Sequence, residues 1–338
     1  MSILKILTLV HKDCVPPEKA TMKDADWANW KTEFYVKRTL KKLGHEVKVL
    51  GVSDDLSKIQ DEVGRFSPDI VFNLLEEFQG EAVFEGHIVS LLELMGVPYT
   101  GCNPHGLSLG RDKALTKKVL NYHGILTPGF FVVKEKQRVK VPENMKFPMI
   151  VKSLIEEASL GISQDSIVRS VDKLAERVQF IHESIGTPAL VEEYVEGREL
   201  YIGVLGNSQI KVLPPWELTF GDLADGGHPI ATRNVKFSKK YCEKHGVKRG
   251  LAKSIDDATL KKISNVCRGA FKALKLNGYA RMDLRLNERG EIYFLEVNPN
   301  AELANGECLA NAARHAGMSY EQLIAKILSL GLSWKDVA

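Results

Sequence analysis

The chain has 338 residues, 44% of them hydrophobic and 26% charged, an ordinary globular composition with room for two or three packed domains. A net charge of +3, with no block of like charges, argues against a nucleic-acid partner. No run of about 18 apolar residues offers a membrane span, and the first ten residues lack the form of a signal peptide.

In chain order, Ile3 to Val10 is a short apolar run that reads as a buried strand. After a loop holding Pro16 and Pro17, Trp27, Trp30, Phe34 and Leu40 share one helical face, and Gly44 ends that helix. Glu46 to Leu50 and Asp69 to Leu75 read as strands, with a helix from Glu85 to Met95 and the segment Val97 to Gly101 after it. This alternation predicts a doubly wound parallel-sheet α/β domain over residues 1–101. A basic helix is expected from Arg111 to Leu120. A strand, Phe147 to Lys152, ends in a lysine and precedes the small and acidic residues 153–163. Leu190 to Leu205 reads as two strands about the turn Glu196-Gly197, residues 219–250 as a mobile loop, and Asp257 to Leu274 and Tyr320 to Leu330 as helices. The five cysteines are scattered and form no C-x-x-C, so reduced thiols in a cytoplasmic protein are expected, without a zinc site or disulfide framework.

The first strand is not followed by G-x-G-x-x-G, and no phosphate loop of the Gly-x4-Gly-Lys-Ser/Thr type is present. The sharpest chemistry lies at residues 279–298, two alternating runs joined by Asn287-Glu-Arg-Gly290. With Arg289-Gly290 as the two central turn residues, Asp283 lies opposite Glu296 and Arg281 opposite Asn298, all on one face. Met282, Leu284, Leu295 and Val297 then fill the core face. Converging hard oxygen donors suit Mg²⁺ that shares its coordination with phosphates. The same pattern also fits a solvent-facing ladder of ion pairs, and a one-residue slip would scatter the set.

These segments resemble the ATP-grasp superfamily, most closely the D-alanine–D-alanine ligases. The resemblance is carried by Pro98 to Gly101, Arg111 to Lys117, Pro148 to Lys152, Val191 to Glu199, Ala280 to Asp283, Phe294 to Asn298 and Ala313 to Tyr320. It implies three units: the α/β domain 1–101, a small ATP-grasp subdomain 102–188 and a large one 189–338, with ATP between two antiparallel sheets. It further implies that Lys113 and Lys152 contact phosphates below a lid at 153–163, and that Glu192, Glu193, Tyr194 and Val195 line the adenine and hinge. Glu199 matches the ribose-binding acid. Asp283, Glu296 and Asn298 match the ligands of two Mg²⁺ ions, with Mn²⁺ as the alternative ion. Arg281 and Lys236 match catalytic positions, Arg281 steadying the tetrahedral intermediate. Singly, each has a plainer reading: Lys113 and Lys117 as an exposed helix face, Tyr194 as core, Lys236 as part of a solvated lysine-rich loop.

The departures gather at the acceptor end. His11 to Pro17 stands where a glycine-rich loop is usual, Glu76-Glu77 replaces His-Gly, and Glu302 and Glu307 stand near the turn and serine that receive the second D-alanine. A carboxylate there repels a substrate carboxylate and attracts an amine or guanidinium. The expectation is an ATP-dependent carboxylate–amine ligase working through an acyl phosphate on an amino acid or small peptide, cytoplasmic and as a homodimer. D-alanine–D-alanine ligation and a non-catalytic ATP-binding regulator are the alternatives.

Overall fold

Strand β1 (Lys5–His11) is the central strand of a parallel sheet, with β2 (Glu46–Val52) on one side and β3 (Ile70–Asn73) on the other. The computed structural model describes residues 2–26, 28–156, 160–221, 227–232, 234–235 and 238–335. Trp27 and Lys236 therefore lie outside the described residues, as do residues 157–159 of the expected lid. The central strand reads as a continuous apolar run because both its faces are covered. Leu7 and Leu9 join a core that includes residues of α3 (Leu56–Phe66) and α4 (Glu85–Leu94). Ile6 joins the opposite core, with α2 (Lys31–Lys42) and the last helix, Tyr320–Ser333. Before α2 a single turn, α1 (Met22–Ala25), is closed by a capping box from Thr21 and Asp24. Val97 to Thr100 runs beside β3, with Val71 donating to Pro98 O and accepting from Thr100 N.

The last helix packs Leu323, Ile324, Ile327 and Leu328, each 0–1% exposed, into the core of the first sheet. At roughly 1.5–3 kcal/mol for each side chain buried, the C-terminal segment is a main stabiliser of the N-terminal domain.

The second unit begins with α5 (Pro104–Arg111) and α6 (Lys113–Tyr122). One helix was expected from Arg111 to Leu120, but the chain breaks at Asp112. Its φ of −81° and ψ of 95° leave the helical region, and its side chain caps Leu115 N. Strands β4 (Phe130–Val133), β5 (Met149–Ser153), β6 (Ile167–Val168) and β7 (Ala189–Glu193) form an antiparallel sheet in the order β4-β7-β5-β6, backed by α7 (Val171–Phe180).

The third unit holds β8 (Arg198–Gly206), β9 (Ile210–Val212), β10 (Trp216–Thr219), α8 (Lys239–Lys244), β11 (Lys248–Leu251), α9 (Asp257–Ala273), β12 (Gly278–Leu286), β13 (Ile292–Pro299), α10 (Cys308–His315) and α11 (Tyr320–Ser333). Its antiparallel sheet runs β11-β10-β8-β12-β13, with β9 on β8. The expected loop at 219–250 is thus partly regular. Strand β11 pairs with β10, but as a polar edge strand with mostly exposed side chains it carries no apolar alternation. Among the described residues no helix is long and apolar enough to cross a membrane.

Candidate active site

The β12–β13 hairpin has Asp283 opposite Glu296 and Arg281 opposite Asn298, the expected register. It reaches that register differently. The loop is the three residues 288–290, closed by Asn287 N donating to Glu291 O at 3.1 Å, with Gly290 at φ +73°. The extra loop residue is balanced by a bulge between Asp283 and Leu284, where Leu295 is left unpaired. Leu295 consequently leaves the core face, and Phe294, 0% exposed, takes the place beside Leu284.

On the open face the Arg281 guanidinium donates to both Asp283 oxygens, at 2.7 and 2.9 Å. Asn298 Nδ2 lies 3.4 Å from Asp283 Oδ2, and the Tyr201 ring stands 5.1 Å from the guanidinium. Burial works against the charge of Arg281, but Asp283 outweighs it and holds its pKa above the usual range. No third His, Cys, Asp or Glu joins Asp283 and Glu296 among the described residues, which leaves Asn298 as the third donor on the face.

The small sheet supplies the opposite charge. Lys152, next to last in β5, pairs with Glu192 of β7 at 2.7 Å; Lys117, from α6, reaches the other Glu192 oxygen at 3.0 Å. Lys117 and Glu192 are 0% and 1% exposed. Burial depresses the Lys117 pKa against the pull of Glu192. Burial opposes ionisation of Glu192 as well, yet the two lysines keep its pKa below the usual range. Lys152 is raised: burial is outweighed by Glu192 and Glu296. The charge of Glu296 favours the ammonium form of both lysines, so the small-sheet cations lie near this carboxylate of the large sheet. The Lys117 ammonium also donates to Leu295 O, the carbonyl that the bulge frees.

Lys117, expected only within the Arg111 to Lys117 segment or as part of an exposed helix face and given no role at the site, is fully buried there. It lies four residues after Lys113, on the same helix face. Lys113, 5% exposed, donates to Glu156 O at 2.7 Å and so anchors the start of the expected lid. Glu193 points away from Glu192, as strand alternation requires, and accepts from Lys146 N at 2.9 Å. Tyr194 and Val195 form the connection between β7 and β8, with Tyr194 against the His228 ring at 5.0 Å. His228 in turn exchanges two hydrogen bonds with Gln164, tying the large subdomain to the small one. Both oxygens of Glu199 are engaged, by Tyr201 OH at 2.7 Å and Arg285 at 2.8 Å. Arg285 was also missed, although it follows Arg281 and Asp283 at the same two-residue spacing.

The sequence model of the family described as D-ala D-ala ligase C-terminus matches residues 113–329. The chain belongs to this family. A D-alanine–D-alanine ligase of Carboxydothermus hydrogenoformans is 32% identical over 311 residues, covering 88% of this chain and 92% of that one. An uncharacterised protein, y4sG, of Sinorhizobium fredii is 31% identical over 310 residues, covering 90% and 88%. The fold is that of the D-alanine–D-alanine ligase of Bacillus anthracis solved with ATP, at a TM-score of 0.74, 19% identity and 97% coverage of both chains. As a D-alanine–D-alanine ligase relative with the ATP-grasp fold, the chain is an ATP-dependent, amide-forming ligase that acts on small molecules with a divalent metal. The donor chemistry fits such a metal: two carboxylates and an amide oxygen share one face, with cations beside them for phosphate.

Proposed function

We propose that the enzyme joins the carboxylate of an amino acid or small peptide to an amine, through an acyl phosphate. The carrying observation is that Lys117 and Lys152, paired with Glu192 on the small sheet, lie near Glu296, which shares one face of the large sheet with Asp283, Asn298 and Arg281. In this reading the γ-phosphoryl group passes to the donor carboxylate and ADP leaves. The amine nitrogen then attacks the acyl carbon, the bond to phosphate breaks, and the amide forms as the nitrogen loses its proton. Such chemistry asks the protein for positioning and charge neutralisation. Lys113 and Lys152 hold phosphate oxygens, and Lys117 keeps Glu192 in place for the adenine edge. Glu193, Tyr194 and Val195 contribute the hinge. Arg281, fixed by Asp283, steadies the developing oxyanion. Glu199, aligned by Tyr201 and Arg285, serves the ribose. Asp283, Glu296 and Asn298 hold two Mg²⁺ ions, which supply neutralisation of the transferred group. Lys236 has the mobile-loop role that the resemblance implies. The three units divide at residues 101 and 188, and the protein works as a cytoplasmic homodimer.

The test is ADP release with Mg-ATP over pairs of amino acids and amines, with Glu296→Gln beside the parent. Release that depends on a substrate pair and disappears in the variant supports the reading. Nucleotide bound without ADP formed from any pair sinks it, leaving a nucleotide-binding regulator. D-alanine–D-alanine ligation is the second reading, supported by relatives such as the D-alanine–D-alanine ligase of Carboxydothermus hydrogenoformans; strong product formation from D-alanine alone would establish it.

A further inference from the structure

Ligands of open parallel sheets bind beyond the carboxyl ends of the strands, near a switch in strand order. Here β1 lies between β2 and β3, and four segments of the chain carry ionisable groups that interact near its carboxyl end. The turn after β1 brings His11, Asp13 and Cys14, and the first turn of α2 brings Lys31 and Glu33. The segment after β3 brings Glu76 and Glu77, and the β13–α10 loop brings Glu302 and Glu307. His11 lies 3.7 Å from Asp13 and 3.6 Å from Glu77; Lys31 pairs with Glu307 at 2.7 Å.

Glu33 stands apart from these pairs. It is 8% exposed, and its Oε2 accepts no hydrogen bond from any described residue. Burial, with Glu76 and Glu302 adding repulsion, pushes its pKa up to about 7. Glu302 opens to solvent on one side, yet desolvation and Glu307 raise its pKa too, against Lys31, Arg281 and Arg249. The neighbouring Cys14 thiol is pushed up to about 11 by burial and then by Glu33, Glu76, Asp13 and Glu77. A buried carboxylate that has one unpartnered oxygen and only its own backbone N–H as donor, set among other carboxylates, is relieved when a cation enters. A free carboxylate brought to the same place is repelled. Glu307, the partner of Lys31, also lines a cavity of about 290 Å³ with Trp216, Arg249 and Cys308.

We propose that the amine substrate carries a second cationic group, as a diamine or an aminoalkyl guanidine does, and seats that group against Glu33 and Glu302 with its reacting nitrogen toward Arg281. The proposal rests on the ligase reading and narrows its acceptor. It differs from a merely protonated Glu33 in one respect: the cation must need the carboxylate.

The experiment is calorimetric binding to the full chain with Mg²⁺ and a non-hydrolysable ATP analogue. The probes are agmatine, 1,4-diaminobutane, 1-aminobutane and D-alanine. Agmatine or diaminobutane is expected to bind at least about tenfold tighter than 1-aminobutane or D-alanine. Glu33→Gln should remove roughly tenfold or more of that affinity and leave the analogue's own binding unchanged. Binding should tighten from pH 6 to pH 8 with proton release, because the cation favours ionised Glu33 in its setting of Cys14, Lys31, Glu76 and Glu302. Glu302→Gln is the second variant and should weaken agmatine as well. D-alanine binding most tightly, or agmatine affinity indifferent to both variants, overturns the proposal. ADP release separates it from the broader reading. Release with D-alanine alone keeps the ligase and removes the cation pocket, whereas tight agmatine binding without ADP from any donor keeps the pocket and removes turnover.

Discussion

At one end of the proposed site Glu192 lies between Lys117 and Lys152, with both carboxylate oxygens within 3.0 Å of an ammonium. At the other end Glu33 is also buried, at 8% exposed against 1% for Glu192, but lies near Glu76 and Glu302, with Oε2 unpartnered. Both carboxylates are buried, and their pKa values move in opposite directions, Glu192 down and Glu33 up. Burial raises both carboxyls, and only at Glu192 do two adjacent cations outweigh it. The contrast separates a region whose charges are complete in the free protein from one whose charges are completed by a ligand.

The largest effect should come from breaking the complete end. Glu192→Ala leaves two buried lysines facing each other, one of them 0% exposed. Removing one partner from a buried ionic cluster typically costs about 3–5 kcal/mol. Urea unfolding at pH 7 should show a loss of that order, with ATP binding lost as well. A change below about 1 kcal/mol would mean that Glu192 does not hold the lysines, and the comparison between the two ends would fail.

Much of the complete end was legible as sequence. Asp283, Glu296 and Asn298 follow from alternation, because a hairpin with one core face must turn its other residues together. The loop length behind that register was not legible. A bulge at Leu295 restores what the longer loop displaces, and neither irregularity changes the pattern of polar and apolar letters. Lys117 was hidden for another reason. A lysine in Lys113-Ala-Leu-Thr-Lys-Lys118 has the look of solvent, and only the arrival of Glu192 and Leu295 O makes its burial tolerable. Glu192 and Glu193 look alike as letters and are separated only by the two-residue period of a strand. The last helix gives no sign in its own residues that its apolar face belongs to the first sheet: Ile327 shares a core with Ile70 and Phe72, 257 and 255 positions earlier in the chain, since partner choice is a property of topology.

A smaller effect should come from titrating the incomplete end. Glu33 has a folded pKa of about 7 against an ordinary value of 4.5. The folded state then holds the proton more tightly between those values, so stability falls as pH rises from about 4.5 to about 7 and levels off above. The shift corresponds to about 3 kcal/mol at most. In Glu33→Gln this slope should flatten, leaving the variant the more stable protein at pH 8. Parallel pH profiles of parent and variant would show that Glu33 ionises without cost and would remove the reason for a cation to bind beside it.

The smallest effect tests how far such reasoning extends beyond buried sites. Glu321, at the start of α11, pairs with Lys42 of α2 at 2.7 Å, and hydrogen bonding to Lys42 draws its pKa down to about 2. Its displacement is similar in size to that of Glu33 and opposite in sign, so its contribution is present above pH 4.5 and lost as pH falls through about 2. The pair is exposed, Lys42 at 69% and Glu321 at 36% of the side chain, so water and salt screen it. Exposed pairs of this kind are worth about 0–1 kcal/mol, whatever their pKa displacement. Lys42→Ala should therefore lower stability at pH 7 by less than about 1 kcal/mol, and 1 M salt should erase the difference. A loss as large as that expected for Glu192→Ala would mean that contact distance, and not enclosure, sets the worth of a charge pair in this protein, and the two ends of the proposed site would have to be compared on that basis.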